Sequence, residues 1–430
     1  MTKKRSLAII GAVALGTIAA CSGSDKPVTS TGPMTITFWT GQVDVAAQAI
    51  QTLADEYHAA HPDVTIAVEE GAVPDDMRSK LEVTLGTDTY PDAAYIYGSD
   101  AAALSRSDKV VDLTKDVARP EVGWADFWPG EREAATINGK VIGYPAVVGN
   151  LGIIYNKRIF AAAGVAEPQP DWTWDDFRSI AKQLTNTESS VFGTAYNTSA
   201  SEGTVSTFLP MIWQQGLDVL AKDGTTVGFD SPKVAASLEL LRAMAVDDKS
   251  VFVDTAGDQA QTLFINDKIG MLVTGPWALS DLQAGKSEFG VQVLPGYDGH
   301  HDTTGGQDLW MVFSHGDARR AQATSDFLAW LTQPAQDARW SIELFNLPIR
   351  AGSAQEPSFT KTAAELPGYQ QFFDNLSNTR ARPPIVAYPE VSLALGEQIA
   401  AVILGQAQPD AALRAAVDGG NQALADSAGG

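Results

Sequence analysis

A single cysteine, Cys21, stands in a chain of 430 residues, so no disulfide can form within it. Histidine is nearly as scarce, with five in all, and a structural zinc site asks for four ligands, commonly thiolates. His58 and His61 share a helix face and His300-His301-Asp302 form a polar triplet, but helix-end and loop positions account for both, and no metal or other cofactor is expected. The strings G-x-S-x-G, H-E-x-x-H and G-x-x-x-x-G-K-[ST] are missing, which removes the common signatures of serine hydrolases, zinc peptidases and P-loop enzymes. Basic residues are in deficit, 30 against 52 acidic, for a net charge of −22. A chain so acidic offers no patch for nucleic acid or for anionic lipid head groups. Beyond Cys21 no stretch approaches the length of apolar sequence that a membrane span requires.

What is present begins at the N-terminus. Lys3, Lys4 and Arg5 precede an uncharged run from Leu7 to Ala20, the layout of a secretory signal peptide and too short to span a bilayer, which needs about 20 residues. Ile18-Ala19-Ala20-Cys21 resembles a bacterial lipobox, in which the cysteine becomes the new N-terminus and its sulfur carries a diacylglycerol. Two acyl chains on one residue supply the double signal that stable anchoring needs. Residues 1–20 thus read as a lipoprotein leader and 21–33 as a lipidated cysteine with a flexible tether, SGSDKPVTSTGP. Loss of the leader removes three basic residues, leaving 27 against 52.

The remainder is long enough for two hydrophobic cores. Thr35 to Trp39 alternates like a strand, and Ala46, Ile50, Leu53, Tyr57 and Ala60 mark one face of a helix that Pro62 ends. Val64 to Val68 alternates again, and a β-α-β order points to a parallel sheet covered by helices. Further strands are expected at Asp92–Tyr97, Leu151–Tyr155, Ile269–Thr274 and Leu309–Phe313. Thr173 is a candidate N-cap, Ala318–Leu331 an amphipathic helix, and Asp410 the cap of a last helix.

Four blocks carry more than periodicity. INGKVIGYPAVVGNLGIIYNKRIFAAAGV with PDWTWDDF, then TLFINDKIGMLVTGPWALSDL, then LPGYDG with GGQDLWMVF, and finally NLPIR occur in this order. Together they resemble the sugar-binding class of bacterial ABC-importer solute-binding proteins, which includes maltose-binding protein, over everything after the tether. The resemblance implies an α/β, two-lobed periplasmic-binding-protein-like fold (type II) with a ligand cleft between lobes joined by crossing strands. Carried onto this chain, one lobe takes residues 34–145 and 300–347, the other 149–294 and 351–430, with hinges at 146–148, 295–299 and 348–350.

Sugars present an apolar C–H face and a rim of hydroxyls, so a sugar cleft needs flat aromatics and bidentate polar groups. The resemblance nominates Trp277, in Gly275-Pro276-Trp277, for stacking, and Tyr388 with Glu390 at the start of a C-terminal helix. Trp39 and Gln42 end the first strand, while Tyr97, Ser99 and Asp100 follow another, where ligands of open α/β sheets lie. Asn150 stands just past the first crossover beside Gly149, where maltose-binding protein has a glutamate. Glu202, in a polar loop, is a replacement acceptor. Gly305, Gly306, Gln307 and Asp308 precede a strand near the second crossing, where paired glycine reads equally as close backbone approach to ligand or as a simple turn. Trp172, Trp174, Trp330 and Trp340 read as core.

The expectation is a lipid-anchored, monomeric receptor at the outer face of the cytoplasmic membrane of a Gram-positive cell. It captures a mono- or oligosaccharide and delivers it to the permease of an ABC importer. A glycerol phosphate or peptide is the first rival ligand, although phosphate calls for Arg or Lys and the nominated residues are neutral or acidic. A polyamine is another, served by Asp100, Glu202, Asp308 and Glu390. A surface enzyme or adhesin is the rival from a different class.

Overall fold

The computed structural model describes residues 32–42 and 44–429; the leader, Cys21 and nearly all of the tether lie outside them. The strands, in chain order, are β1 (Met34–Trp39), β2 (Val64–Glu69), β3 (Ala93–Ile96), a short hairpin of β4 (Thr136–Ile137) and β5 (Lys140–Val141), and β6 (Gly143–Asn150). There follow β7 (Gly152–Asn156), β8 (Phe192–Asn197), β9 (Val251–Asp254), β10 (Ile269–Thr274), β11 (Phe289–Gln292), β12 (Thr303–Val312) and β13 (Thr379–Arg380).

Two sheets organise the chain. The first runs β13-β12-β3-β1-β2, with β6 on the other edge of β12. Its β1, β2 and β3 are parallel, as the early β-α-β pattern requires, and β12 is antiparallel to both β3 and β6. In the helix Asp44–Ala60 the stripe of Ile50, Leu53 and Tyr57 is buried, while Ala60 at its end is exposed. Phe38 packs against Trp310 at 4.8 Å between ring centres and edge-on against Phe327 at 5.5 Å, a core of large rings under the sheet.

The second sheet runs β11-β7-β10-β8-β9. The helix Trp174–Leu184 starts at Thr173, whose hydroxyl accepts from the Asp176 amide while Asp176 accepts from Thr173, a complete capping box. That helix lies directly on β8, because a β-carbon at Gly193 would stand 2.0 Å from the Ala181 carbonyl oxygen. Two C-terminal helices, Tyr388–Ile403 and Pro409–Gly429, close this core with Val391, Leu395, Ile399, Val402 and Ile403 buried. Asp410 falls inside the first turn of the last helix, behind Pro409, instead of capping it. There its carboxylate still complements the positive end of the helix dipole.

The chain passes from the first sheet to the second through one residue, Leu151, between β6 and β7. Thr303 pins that crossing, its hydroxyl donating to the Leu151 carbonyl at 2.8 Å and accepting from the Leu151 amide at 3.1 Å. The return runs between Gln292 and Thr303. A third crossing at 348–350 is not where the structure places it. Arg350 is fixed to the first lobe by Asp126 at 2.7 Å and by the Thr332 carbonyl at 2.9 Å, and the helices Ala351–Ala354 and Pro357–Glu365 pack on Pro334–Glu343. Only the helix Tyr369–Asp374 reaches β11, and β13 then rejoins the first sheet. The strand expected at Leu309–Phe313 begins at Thr303, so the paired glycines lie within a strand and not in a turn.

Candidate functional site

Along the ribbon of β6 and β12, Gly306 faces Gly149 and Asp308 faces Val147. These residues floor a cavity of about 330 Å³, within the range of small-ligand sites. One wall is Trp277, which is 43% exposed in a short turn, Pro276–Ala278, that follows β10. Its ring lies flat because two neighbours lack side chains: a β-carbon would stand 2.1 Å from the indole at Gly275 and 3.0 Å from it at Gly149. Behind Trp277 a second cavity of about 420 Å³ continues past Asn197 and Asp254, sharing Leu151, Gly203, Ser206 and Trp277 with the first.

Opposite stands a buried charged network. Glu202 begins the helix Glu202–Ser206, and both its oxygens are occupied. Oε1 accepts from the Tyr388 hydroxyl at 2.7 Å and from Arg382 at 3.2 Å, and Oε2 accepts from Ser392 at 2.5 Å. Arg382 lies 3.8 Å from Asp308 Oδ1 and above the Tyr97 ring. Asp308 accepts from the Tyr95 hydroxyl at 2.5 Å through Oδ2, whereas Oδ1 has no hydrogen-bond partner. Burial pushes the Asp308 carboxyl above its usual range, and Arg382 pulls it part of the way back. A smaller cavity of about 210 Å³ adjoins, lined by Arg78, Asp100, Glu202 and Glu390. Burial raises Asp100 to about 7 against the opposing charge of Arg78, 3.4 Å away.

Of the residues nominated from sequence, Gln42, Tyr97, Glu202, Trp277, Gly306 and Asp308 line the principal cavity, as does Gly305, and Asp100 and Glu390 line the adjoining one. The others are elsewhere. Trp39 is buried under Gly71 with its indole N–H on Glu69 and Lys80 above its ring. Ser99 is buried in the helix Gly98–Leu104. Asn150 is fully buried and donates to the Phe372 carbonyl at 3.0 Å, tying the segment before β13 to the crossing strand. Strand alternation turns Gln307 to the far side of the ribbon. Tyr388 is buried and acts on the cavity through Glu202. Arg382, Tyr95 and Asn346 line the cavity without having been nominated, and Arg382 corrects the expectation of a cleft without cations.

A cavity of ligand size between two α/β lobes, floored by the strands that join them, is the architecture of a two-lobed solute-binding protein. Residues 52–368 match the family of bacterial extracellular solute-binding proteins, and the chain belongs to that family. The cyclic α-maltosyl-1,6-maltose binding protein from Arthrobacter globiformis superposes with a TM-score of 0.78 at 28% identity, over 92% of this chain and 100% of that one. UgpB from Mycobacterium tuberculosis, solved with glycerophosphocholine, shares the fold with a TM-score of 0.81 at 18% identity, over 92% and 99%. The sn-glycerol-3-phosphate-binding periplasmic protein UgpB of Escherichia coli (strain K12) is 25% identical over 96% of each chain. Among the described residues no helix is long and apolar enough to cross a membrane.

Proposed function

We propose that the protein is the receptor of an ABC-type importer and that its solute is a carbohydrate held between Trp277 and Asp308. The observation that carries this reading is the pairing, on one cavity, of an exposed indole face with the buried Asp308 carboxylate, whose Oδ1 accepts no hydrogen bond and has Arg382 3.8 Å away. The first suits the C–H face of a pyranose and the second a hydroxyl donor. Ligand contacts from both lobes favour the closed form only by the extra interactions made there, and closure presents that form to the permease. The sugar neighbour from Arthrobacter supports the same class.

A glycerol phosphate is the second reading, favoured by Arg382 and by the relatives named for that ligand. It ranks below because Arg382 already faces Glu202 and Asp308, and an added anion would stand among their charges. A polyamine is the third, drawing on the same acids.

Titration of the soluble chain from residue 22 onward with maltose, cyclic glucans, glycerol 3-phosphate, glycerophosphocholine and spermidine distinguishes these. A ligand at 100 times its Kd adds about 2.7 kcal/mol to stability. Stabilisation by one sugar class, lost in Trp277→Ala, is expected; a response confined to the two phosphate esters and lost in Arg382→Met would overturn the carbohydrate assignment.

Export and anchoring complete the proposal. Cys21 carries the lipid, the tether lets a monomeric receptor turn at the outer face of a Gram-positive cytoplasmic membrane, and Cys21→Ser should release the protein into the medium.

A further inference from the structure

The ribbon of β6 and β12 has a second face. Alternation sends Val148 and its partner Gln307 away from the cleft, into a separate cavity of about 470 Å³. Trp128, Phe373 and Leu376 form its apolar walls. Glu131 also lines it, from a position only 2% exposed, and its Oε2 has no hydrogen-bond partner. A buried polar atom left in this way costs about 1–3 kcal/mol. Burial first, and then the charges of Asp308 and Asp337, push the Glu131 carboxyl well above the usual carboxylate range. Among the described residues that line this cavity there is no lysine or arginine, and the exposed Asp374 adds a second acid.

We propose that this rear cavity is a second ligand site, taking a small organic ammonium whose cation pairs with Glu131 while its apolar body lies against Trp128 and Phe373. The unpartnered oxygen is closed off as the side chain stands, so it fixes the position of the cation once the carboxyl turns into the cavity, where a donor that arrives already charged makes the ionised carboxylate favourable and releases its proton to solvent. The two aromatic rings add attraction for a desolvated cation. A neutral polyol would meet fewer polar side chains here, where Glu131, Gln307, Asp374, Ser377 and Thr379 supply them, than in the front cavity. Since one ribbon carries both floors, any effect of the amine on affinity in the front cleft must be matched by an equal effect in return.

Thermal unfolding with benzylammonium chloride, with benzyl alcohol as the uncharged control, tests the site in the chain from residue 22, which retains the whole compact unit Pro33–Gly430. At about 100 times its Kd the amine should raise Tm by about 3 °C in the wild type and equally in Trp277→Ala. The alcohol should do much less, and the shift should vanish in Glu131→Gln. Ser377→Trp, at an exposed position on the rim, plugs the cavity without touching the core and should also abolish the shift even if Glu131→Gln fails to fold. No shift in the wild type, a shift that survives Ser377→Trp, or one lost in Trp277→Ala would each overturn the proposal, the last by placing the amine in the front cleft.

Discussion

The indole of Trp277 rests against the bare backbone of Gly149, where a β-carbon would stand 3.0 Å from Cζ3. Glycine at this place is therefore more than the absence of an acidic side chain; it is the space into which the ring fits. Gly306, directly across the ribbon, is different, since a β-carbon there would meet nothing closer than 3.6 Å.

This contrast sets the first expectation. Trp277→Ala should weaken ligand binding by about 10–100-fold, the scale of an interface hot spot, with little loss of stability because the ring is half in solvent already. Gly149→Val should reproduce most of that loss by tilting the ring, whereas Gly306→Ala should fold normally. Calorimetric titration alongside thermal unfolding separates the two effects.

Arg382 sets the second. It compensates Glu202 at 3.2 Å and Asp308 at 3.8 Å, all three largely buried. Arg382→Met would leave the two acids facing each other without a cation and should cost about 3–5 kcal/mol in urea unfolding, the usual penalty for stranding buried charge. Tyr388→Phe removes one neutral donor to Glu202 and should cost only about 1–2 kcal/mol. Equal losses in the two variants would contradict the assignment of Arg382 as the centre of the network.

Far from the cleft, Asp337 gives a pH signature. Its oxygens accept from the Ile349 amide at 3.2 Å and the Ser341 hydroxyl at 3.4 Å, and burial raises its carboxyl to about 7. The folded protein then keeps a proton that the unfolded chain gives up near the ordinary aspartate value of 3.8, so this group's stabilisation is complete below that pH. It is lost as pH rises toward 7 and constant beyond, on the order of 3–4 kcal/mol in total. Asp337→Asn should flatten the stability profile across that window, with Asp100 supplying a residual slope of the same sign. A profile unchanged by the substitution would refute the shift.

Much of the fold was legible because its signals are local. The capping box at Thr173, the alternation of β1 and the stripe from Val391 to Ile403 each sit within a single turn, strand or helix. In the cleft, Trp277 was reached through the family resemblance of the block that holds Gly275-Pro276-Trp277. Tyr97 was nominated for its place at a strand end, and a period of two counted back from it would have found Tyr95, since alternate strand residues share a face. That rule applied from Thr303 would also have separated Gln307 from Asp308, and Asn150 from Gly149. Arg382 had no such signal. Its partner Glu202 lies 180 residues away, and nothing in the local run Arg380-Ala381-Arg382-Pro383 distinguishes the buried cation from the more exposed one at Arg380.

The crossing strands also carry a geometric restriction. Neighbouring residues 307 and 308 belong to different compartments, so a point substitution can revise one compartment and spare the other. Adding or deleting one residue in β12 ahead of them does the opposite. It exchanges the two faces at once, swinging Gln307 toward the indole and Asp308 toward Glu131, which would place two acids in contact behind the hinge. A replacement at either position thus reshapes one compartment alone, while a one-residue change in the length of β12 disturbs both at once.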